Sequence, residues 1–353
     1  MAIDTLTVES CTSEVAAARS SAEPSSFPGS ALVMDETVQG RAVADAAGDP
    51  HSMPASPEEG RVSVPTLVSD LLQLTKPRIV VMILVTTIAT ALIGARGIVE
   101  LSQLLWLLVG TGLIAGSAGA ANQVWERLID QRMTRTAGRP LPAGRMSLAL
   151  AIAYTAILGV VGTAILYARF SFAPAAIGLA TWALYVLVYT PMKTRTSWNT
   201  TVGAIAGAIP MLIGYTAMGG SIADVTGWLL VGILVAWQYP HFMAIAWMYR
   251  RQYGEAGFIM STTVDPSGKS AALQSLAGSI GLIVCALALC WIPTGWTGAA
   301  LASAAVLFSG WPMLRASIQF AYKPADDAAR RLLHKSLLVL PAVLLIVTLR
   351  LFW

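Results

Sequence analysis

Charge is scarce in this chain. Of its 353 residues only 12% are Asp, Glu, Lys or Arg, against roughly 25% in soluble domains. Hydrophobic residues make up 56%, and the mean hydropathy is +0.65. That composition excludes an ordinary soluble globular protein and points to a membrane protein. Cysteine is scarcer still, with only Cys11, Cys285 and Cys290. Three thiols without metal-ligand spacing exclude a disulfide framework and a cysteine-built zinc site. Cys285 and Cys290 fall inside an apolar run and read as small packing residues. Nothing in the chain calls for a nucleic-acid partner.

The few charges are unevenly placed. Residues 1–65 carry ten acids against three arginines, a net of −7, whereas residues 66–353 carry nine acids against twenty bases, a net of +11. The first segment is rich in Ala, Ser, Pro and acids and has no Phe beyond Phe27. It cannot bury enough apolar surface to fold, and it reads as a disordered acidic tail. It lacks the basic and apolar regions of a secretory signal and is too acidic for a mitochondrial presequence. The chain therefore divides into a tail, 1–65, and an all-α membrane domain, 66–353.

Within that domain, nine apolar runs are long enough to span a bilayer: about 79–95, 102–122, 147–167, 172–191, 200–219, 225–247, 272–292, 297–314 and 333–352. Small residues recur at helical spacing in "GTGLIAGSAGAA" and "VGAIAGAIPMLIG", which lets helices approach closely in lipid. The bases gather on alternate connections. Lys76 and Arg78 precede span one, Arg127 to Arg145 follow span two, and Lys193 and Arg195 follow span four. Arg250, Arg251 and Lys269 follow span six, and Arg315 to Lys335 lie between spans eight and nine. The other connections hold only Arg96 and Arg169. By the positive-inside rule the N-terminus is cytoplasmic, and an odd number of spans puts Trp353 on the far side.

The charge that remains is concentrated after span two, in "NQVWERLIDQRMTRTAGRPLPAGR", 122–145. Asn122, Glu126 and Asp130 are spaced i, i+4, i+8 and share one helix face. Two carboxylates and an amide oxygen form a hard ligand set suited to Mg²⁺ carrying substrate phosphates. Glu126 and Asp130 are the metal candidates, and Arg135 and Arg139 can meet phosphate oxygens in bidentate fashion. Such a set neutralises the charge that develops as a diphosphate leaves carbon. A solvated helix end with positive-inside arginines gives the same pattern without chemistry. It is, however, the only carboxylate pair at one-face spacing at the end of an apolar span, and charge there is a functional hypothesis by default.

Two further clusters share that side. In "YTPMKTRTSWNTTVGAIAGAIPMLIGY", 189–215, Lys193 and Arg195 can neutralise phosphate or simply obey the charge rule, and Asn199 can cap the next helix. In "WQYPHFMAIAWMYRRQYGEAGF", 237–258, Pro240 interrupts a span and His241 is the only histidine in a span interior. Trp237, Tyr239, Phe242, Trp247, Tyr249 and Tyr253 offer ring faces to an allylic cation, or merely pack. His51 lies in the tail and His334 near a basic helix end.

With these segments assembled, residues of about 70–345 resemble the UbiA superfamily of intramembrane prenyltransferases. The likeness rests on "LTKPRIVVMILVTTIATALIG", the N-x-x-x-E-x-x-x-D segment running into "MTRTAGRPLPAGR", and the two clusters just quoted. "RTAGRPLPAGR", "TPMKTRTSWNT" and "WQYPHF" together favour its heme-modifying branch. The resemblance implies a nine-transmembrane-helix UbiA-like bundle in a bacterial inner membrane. It also implies Mg²⁺-dependent ionisation of farnesyl diphosphate and transfer of the farnesyl chain to a vinyl group of heme B, for the heme O and heme A of terminal oxidases. Asn122, Glu126 and Asp130 would be catalytic. Arg135, Arg139, Lys193, Arg195, Tyr249 and Arg250 would bind substrate, and His241 would recognise heme. Other membrane proteins of heme biosynthesis are its expected partners.

One departure stands out. The branch is expected to carry acids after the Tyr-Arg that ends span six, yet here the run is Tyr249-Arg250-Arg251-Gln252-Tyr253. Glu255 or Asp265 would have to substitute, or Arg250 and Arg251 would meet the diphosphate directly. Two other readings stay open from the residues: prenyl transfer to an aromatic quinone precursor, and a transporter. Against a transporter, the polar residues gather at one face rather than at the midplane.

Overall fold

The computed structural model describes residues 64–292 and 295–350. Cys11, Phe27, His51, the tail assignment and Trp353 lie outside them. Among the described residues the chain is helical, with no strand. A short helix, α1 (Val64–Leu74), precedes the first long one. The long helices are α2 (Pro77–Ala95), α3 (Leu101–Asp130), α4 (Leu148–Arg169), α5 (Phe172–Met192), α6 (Asn199–Ala217) and α7 (Val225–Met248). Two short helices, α8 (Arg250–Glu255) and α9 (Ser261–Val264), lead to α10 (Lys269–Cys290), α11 (Trp296–Tyr322) and α12 (Asp326–Leu349). Nine helices among the described residues, α2–α7 and α10–α12, are long and apolar enough to cross a membrane. They make the chain a multi-pass membrane protein, as the nine apolar runs anticipated.

Helices adjacent in sequence pack as neighbours, and α12 also touches α2 and α7, which closes the bundle. Large apolar side chains face outward, among them Ile79, Val81, Val85, Ile157, Val160 and Phe308, as lipid rather than water requires. Inside, small residues set the spacing. A Cβ added at Gly162 on α4 would lie 2.8 Å from the carbonyl oxygen of Gly110 on α3, so these backbones touch directly. The hydrophobic driving force vanishes between helices in lipid, and such close packing takes its place.

Two helix ends differ from the apolar runs. Helix α3 continues eight residues past the run that ends at 122, so the polar triad is carried on a continuous helix. Helix α12 begins at Asp326, seven residues before the run at 333. Asp326 and Asp327 occupy its first turn, where the helix dipole favours acids. Helix α5 contains a π-helical stretch, Leu184–Tyr189, just before Pro191. π-bulges are frequent at functional sites.

Candidate active site

The C-terminal end of α3, the start of α2, the end of α5 and the segment after α7 converge at one end of the bundle. They enclose a cavity of about 1140 Å³. The triad lies on its wall: Asn122 is fully buried, Glu126 is 5% exposed and Asp130 is 2% exposed. The helical spacing places them on one stripe, and each meets a base from a different element. The Lys76 ammonium donates to Asn122 Oδ1. Lys193 Nζ lies 2.7 Å from Glu126 Oε1, and Arg139 Nη1 lies 2.6 Å from Asp130 Oδ2. Asn122 Nδ2 donates to Thr190 Oγ1 at 3.0 Å, while Thr190 in turn donates to the Tyr185 carbonyl within the π-helical stretch. The irregular end of α5 therefore serves the triad directly.

Paired charges explain how so many ionisable groups tolerate burial, since unpaired ones would cost several kcal/mol each. Burial opposes the Lys193 ammonium most strongly, but the Glu126 carboxylate, with Tyr189 and Tyr185, together more than offset it, and the lysine pKa stands above its ordinary value. At Lys76 burial dominates and the pKa falls. Lys76 also sits in the left-handed region at φ 57°, the sharp turn between α1 and α2. Six bases line the cavity (Lys76, Arg78, Arg135, Arg139, Arg145 and Lys193) against three acids (Asp70, Glu126 and Asp130). The excess of three positive charges suits a polyanion such as a diphosphate.

Aromatic rings cover part of the same wall. The Arg135 guanidinium stands 4.9 Å from the Tyr249 ring centroid and 5.8 Å from that of Tyr253. Lys193 Nζ lies 4.7 Å from the Tyr189 ring. Met133, Ala256 and Phe258 form a small apolar cluster that joins the segment after α3 to the segment after α7. Asn199 does not cap α6 as the sequence suggested. Its side-chain amide donates to the Thr196 and Ile259 carbonyls, at 2.6 and 2.7 Å, and fastens these segments together.

The structure thus brings together Asn122, Glu126, Asp130, Arg135, Arg139 and Lys193, with Tyr249 at their edge. Arg195 is exposed and does not line the cavity. Arg250 turns away to the Trp247 carbonyl and to Asp326 Oδ1, at 2.6 and 2.8 Å. His241 faces α12: its Nδ1 lies 3.0 Å from Ser336 Oγ, and its ring stacks on Trp237 at 4.7 Å. Glu255 and Asp265 are absent from the cavity wall. Asp265 caps the turn at Ser267 and Ser270, whose hydrogen bonds hold its carboxyl below the ordinary range. Gln252 keeps a buried side-chain oxygen without a partner.

Four charged wall residues lie outside the site that the sequence outlines: Lys76, Arg78 and Arg145 read there only as orientation signals, and no spacing singles out Asp70. Among the described residues no group of three or more His, Cys, Asp or Glu forms a metal cluster. Two carboxylates and an amide oxygen on one stripe are the oxygen donors present, a hard set of the kind that suits Mg²⁺ when further ligands come from outside the protein.

Comparison with known proteins agrees with this architecture. Residues 83–339 match the model of the UbiA prenyltransferase family. A protein named protoheme IX farnesyltransferase from Rhodopirellula baltica is 58% identical over 284 residues, spanning 79% of this chain and 99% of that protein. The fold resembles a digeranylgeranylglyceryl phosphate synthase, with a TM-score of 0.64 at 15% identity over 80% of this chain and 98% of the other. It also resembles a UbiA homologue from Archaeoglobus fulgidus bound to DMAPP and Mg²⁺, with a TM-score of 0.56 at 14% identity over 77% of this chain and 99% of that one. From the match along most of its length, the chain belongs to the UbiA prenyltransferase family.

Proposed function

We propose that this prenyltransferase moves a farnesyl group from farnesyl diphosphate to a vinyl group of heme B, yielding heme O and diphosphate. The observation that carries the reading is the buried triad of Asn122, Glu126 and Asp130, matched base for base by Lys76, Lys193 and Arg139 in one cavity. The farnesyl group and the protoheme acceptor are those in the name of the 58% identical relative, protoheme IX farnesyltransferase. Mg²⁺ held by Glu126 and Asp130, with Asn122, would supply Lewis-acid stabilisation of the departing diphosphate.

The remaining work falls to the chain itself. Lys76, Arg139 and Lys193 are within reach of the triad and neutralise phosphate oxygens as the allylic C–O bond breaks. Tyr189 and Tyr253 present ring faces near that charge, where an allylic cation is stabilised electrostatically. The vinyl π pair forms the new C–C bond. Water then adds at the adjacent carbon and releases a proton, leaving a hydroxyl group. Burial of the triad limits premature capture of the cation by water. The base-rich end that holds this cavity faces the cytoplasm of a bacterial inner membrane in this reading, and the N-terminus lies on the same side.

The deciding experiment incubates purified protein with heme B, farnesyl diphosphate and Mg²⁺, then weighs the extracted porphyrins by mass spectrometry. Heme gaining one farnesyl group and one water is the expected product. Unmodified heme from folded protein, with transfer to a quinone precursor instead, would overturn the acceptor.

A further inference from the structure

Part of the cavity wall comes from residues that precede the family match at 83–339, namely α1 and the turn after it. Helix α1 is firmly seated. Gln123, 1% exposed and next to Asn122, donates from Nε2 to the carbonyls of Gln73 and Leu74 at 3.1 and 3.0 Å. These are carbonyls of its last turn, where intrahelical partners run out, and the Gln73 carbonyl also accepts from the Lys76 N–H at 3.2 Å. The turn then rests on α3 at Gly119, where a Cβ would lie 2.9 Å from the Thr75 carbonyl oxygen. Only glycine permits that approach without a shift.

From this seat Asp70, 4% exposed, faces the loop that joins α3 to α4. Arg145 Nε reaches its two oxygens at 3.2 and 3.1 Å, and Arg145 Nη2 reaches Oδ1 at 2.9 Å. The same guanidinium donates from Nη1 to the Gly138 carbonyl at 3.2 Å. The next residue is Arg139, whose Nη1 holds Asp130. A continuous chain of contacts therefore runs from α1 through Arg145 and Gly138 to the arginine on the triad. The planar guanidinium fork fixes orientation as well as distance.

We propose that Asp70 is a positioning residue for the diphosphate site: through Arg145 it fixes the loop that presents Arg139 to Asp130. Helix α1 is thus a working wall of the site. This inference rests on the reading of the cavity as a diphosphate site and adds to it a residue outside the triad.

The test uses the full-length protein, with calorimetric titration of Mg²⁺-pyrophosphate beside steady-state prenyl transfer. Asp70→Asn is expected to raise both the Kd for Mg²⁺-pyrophosphate and the KM for farnesyl diphosphate roughly 10-fold, the loss typical of outer supports of a metal site. The kcat stays within about twofold, because the reacting groups remain. Asp70→Glu restores most of the affinity. Arg145→Gln lowers affinity alike, and Asp70→Asn/Arg145→Gln is no worse than the worse single variant, as for groups acting in series. A purely structural Asp70 would change the yield of folded protein and leave Kd and KM alone, and that result overturns the inference. Should Asp70→Asn fail to fold, an unchanged Kd in Arg145→Gln overturns it equally. Wild-type protein that binds Mg²⁺-pyrophosphate yet leaves heme unmodified defeats the heme reading instead, and the Kd comparison still decides the role of Asp70.

Discussion

At the scale of single residues, Glu126 and Asp130 are the sharpest commitments. Both are buried, both are paired to a base, and neither is needed to finish a helix. Glu126→Gln and Asp130→Asn keep shape and remove charge. Each is expected to slow prenyl transfer at least about 100-fold, roughly 3 kcal/mol of barrier. Size-exclusion profiles must accompany the rates, because Glu126→Gln strands the Lys193 ammonium in a buried site, and breaking such pairs destabilises. Wild-type turnover in both variants would remove the triad from the chemistry. These residues were legible in the sequence because their periodicity is local, i to i+8. Their partners were not. Lys193 meets Glu126 across 67 positions, and farther along the wall Arg145 meets Asp70 across 75, and no spacing rule predicts which base reaches which acid. His241 drew attention as a rare residue type, and what the sequence could not supply is its neighbours, Trp237 and Ser336, at the contact between α7 and α12.

At the scale of elements, hydropathy located the spans because lipid imposes both the length and the apolarity of a crossing helix. It could not see the end of α3, since a helix that leaves the apolar layer keeps its hydrogen bonds while its residues turn polar. Nor did it see α1, whose 11 residues are too few to span. Leu67, Leu71 and Leu74, at i, i+4 and i+7, were the available signal. Packing between elements rests on contacts that a small residue makes possible. Gly162→Leu would drive a side chain into the Gly110 carbonyl and part α3 from α4, beside the Ser117–Thr155 hydrogen bond at 2.8 Å. Overpacking of this kind costs about 1–3 kcal/mol, occasionally more. Thermal unfolding in detergent is expected to shift down by several degrees. An unchanged midpoint would mean that the α3–α4 contact is readily relaxed.

For the whole molecule, the proposed function and the proposed orientation make the same demand on the distribution of charge. The connections next to the cavity hold nearly all the bases, where the proposed diphosphate site and the positive-inside rule would both call for them. The opposite connections hold Arg96 and Arg169, and between α6 and α7 only Asp224. Asp224 there accepts hydrogen bonds from the Ser221 N–H and the Tyr215 hydroxyl, both at 2.9 Å. Orientation can therefore be tested apart from activity. In a variant whose native cysteines are replaced by serine, a single cysteine at the exposed Ser221 should react with a membrane-impermeant maleimide in intact cells. One at the exposed Ala143, in the arginine loop, should react only after permeabilisation. The reverse pattern would set the cavity on the outer face and would leave its bases to be explained by substrate binding alone. Equal labelling at both sites in intact cells would signal mixed insertion. That outcome would implicate Arg96 and Arg169 as too strong a counterweight, and replacing both with neutral residues should then restore a single orientation.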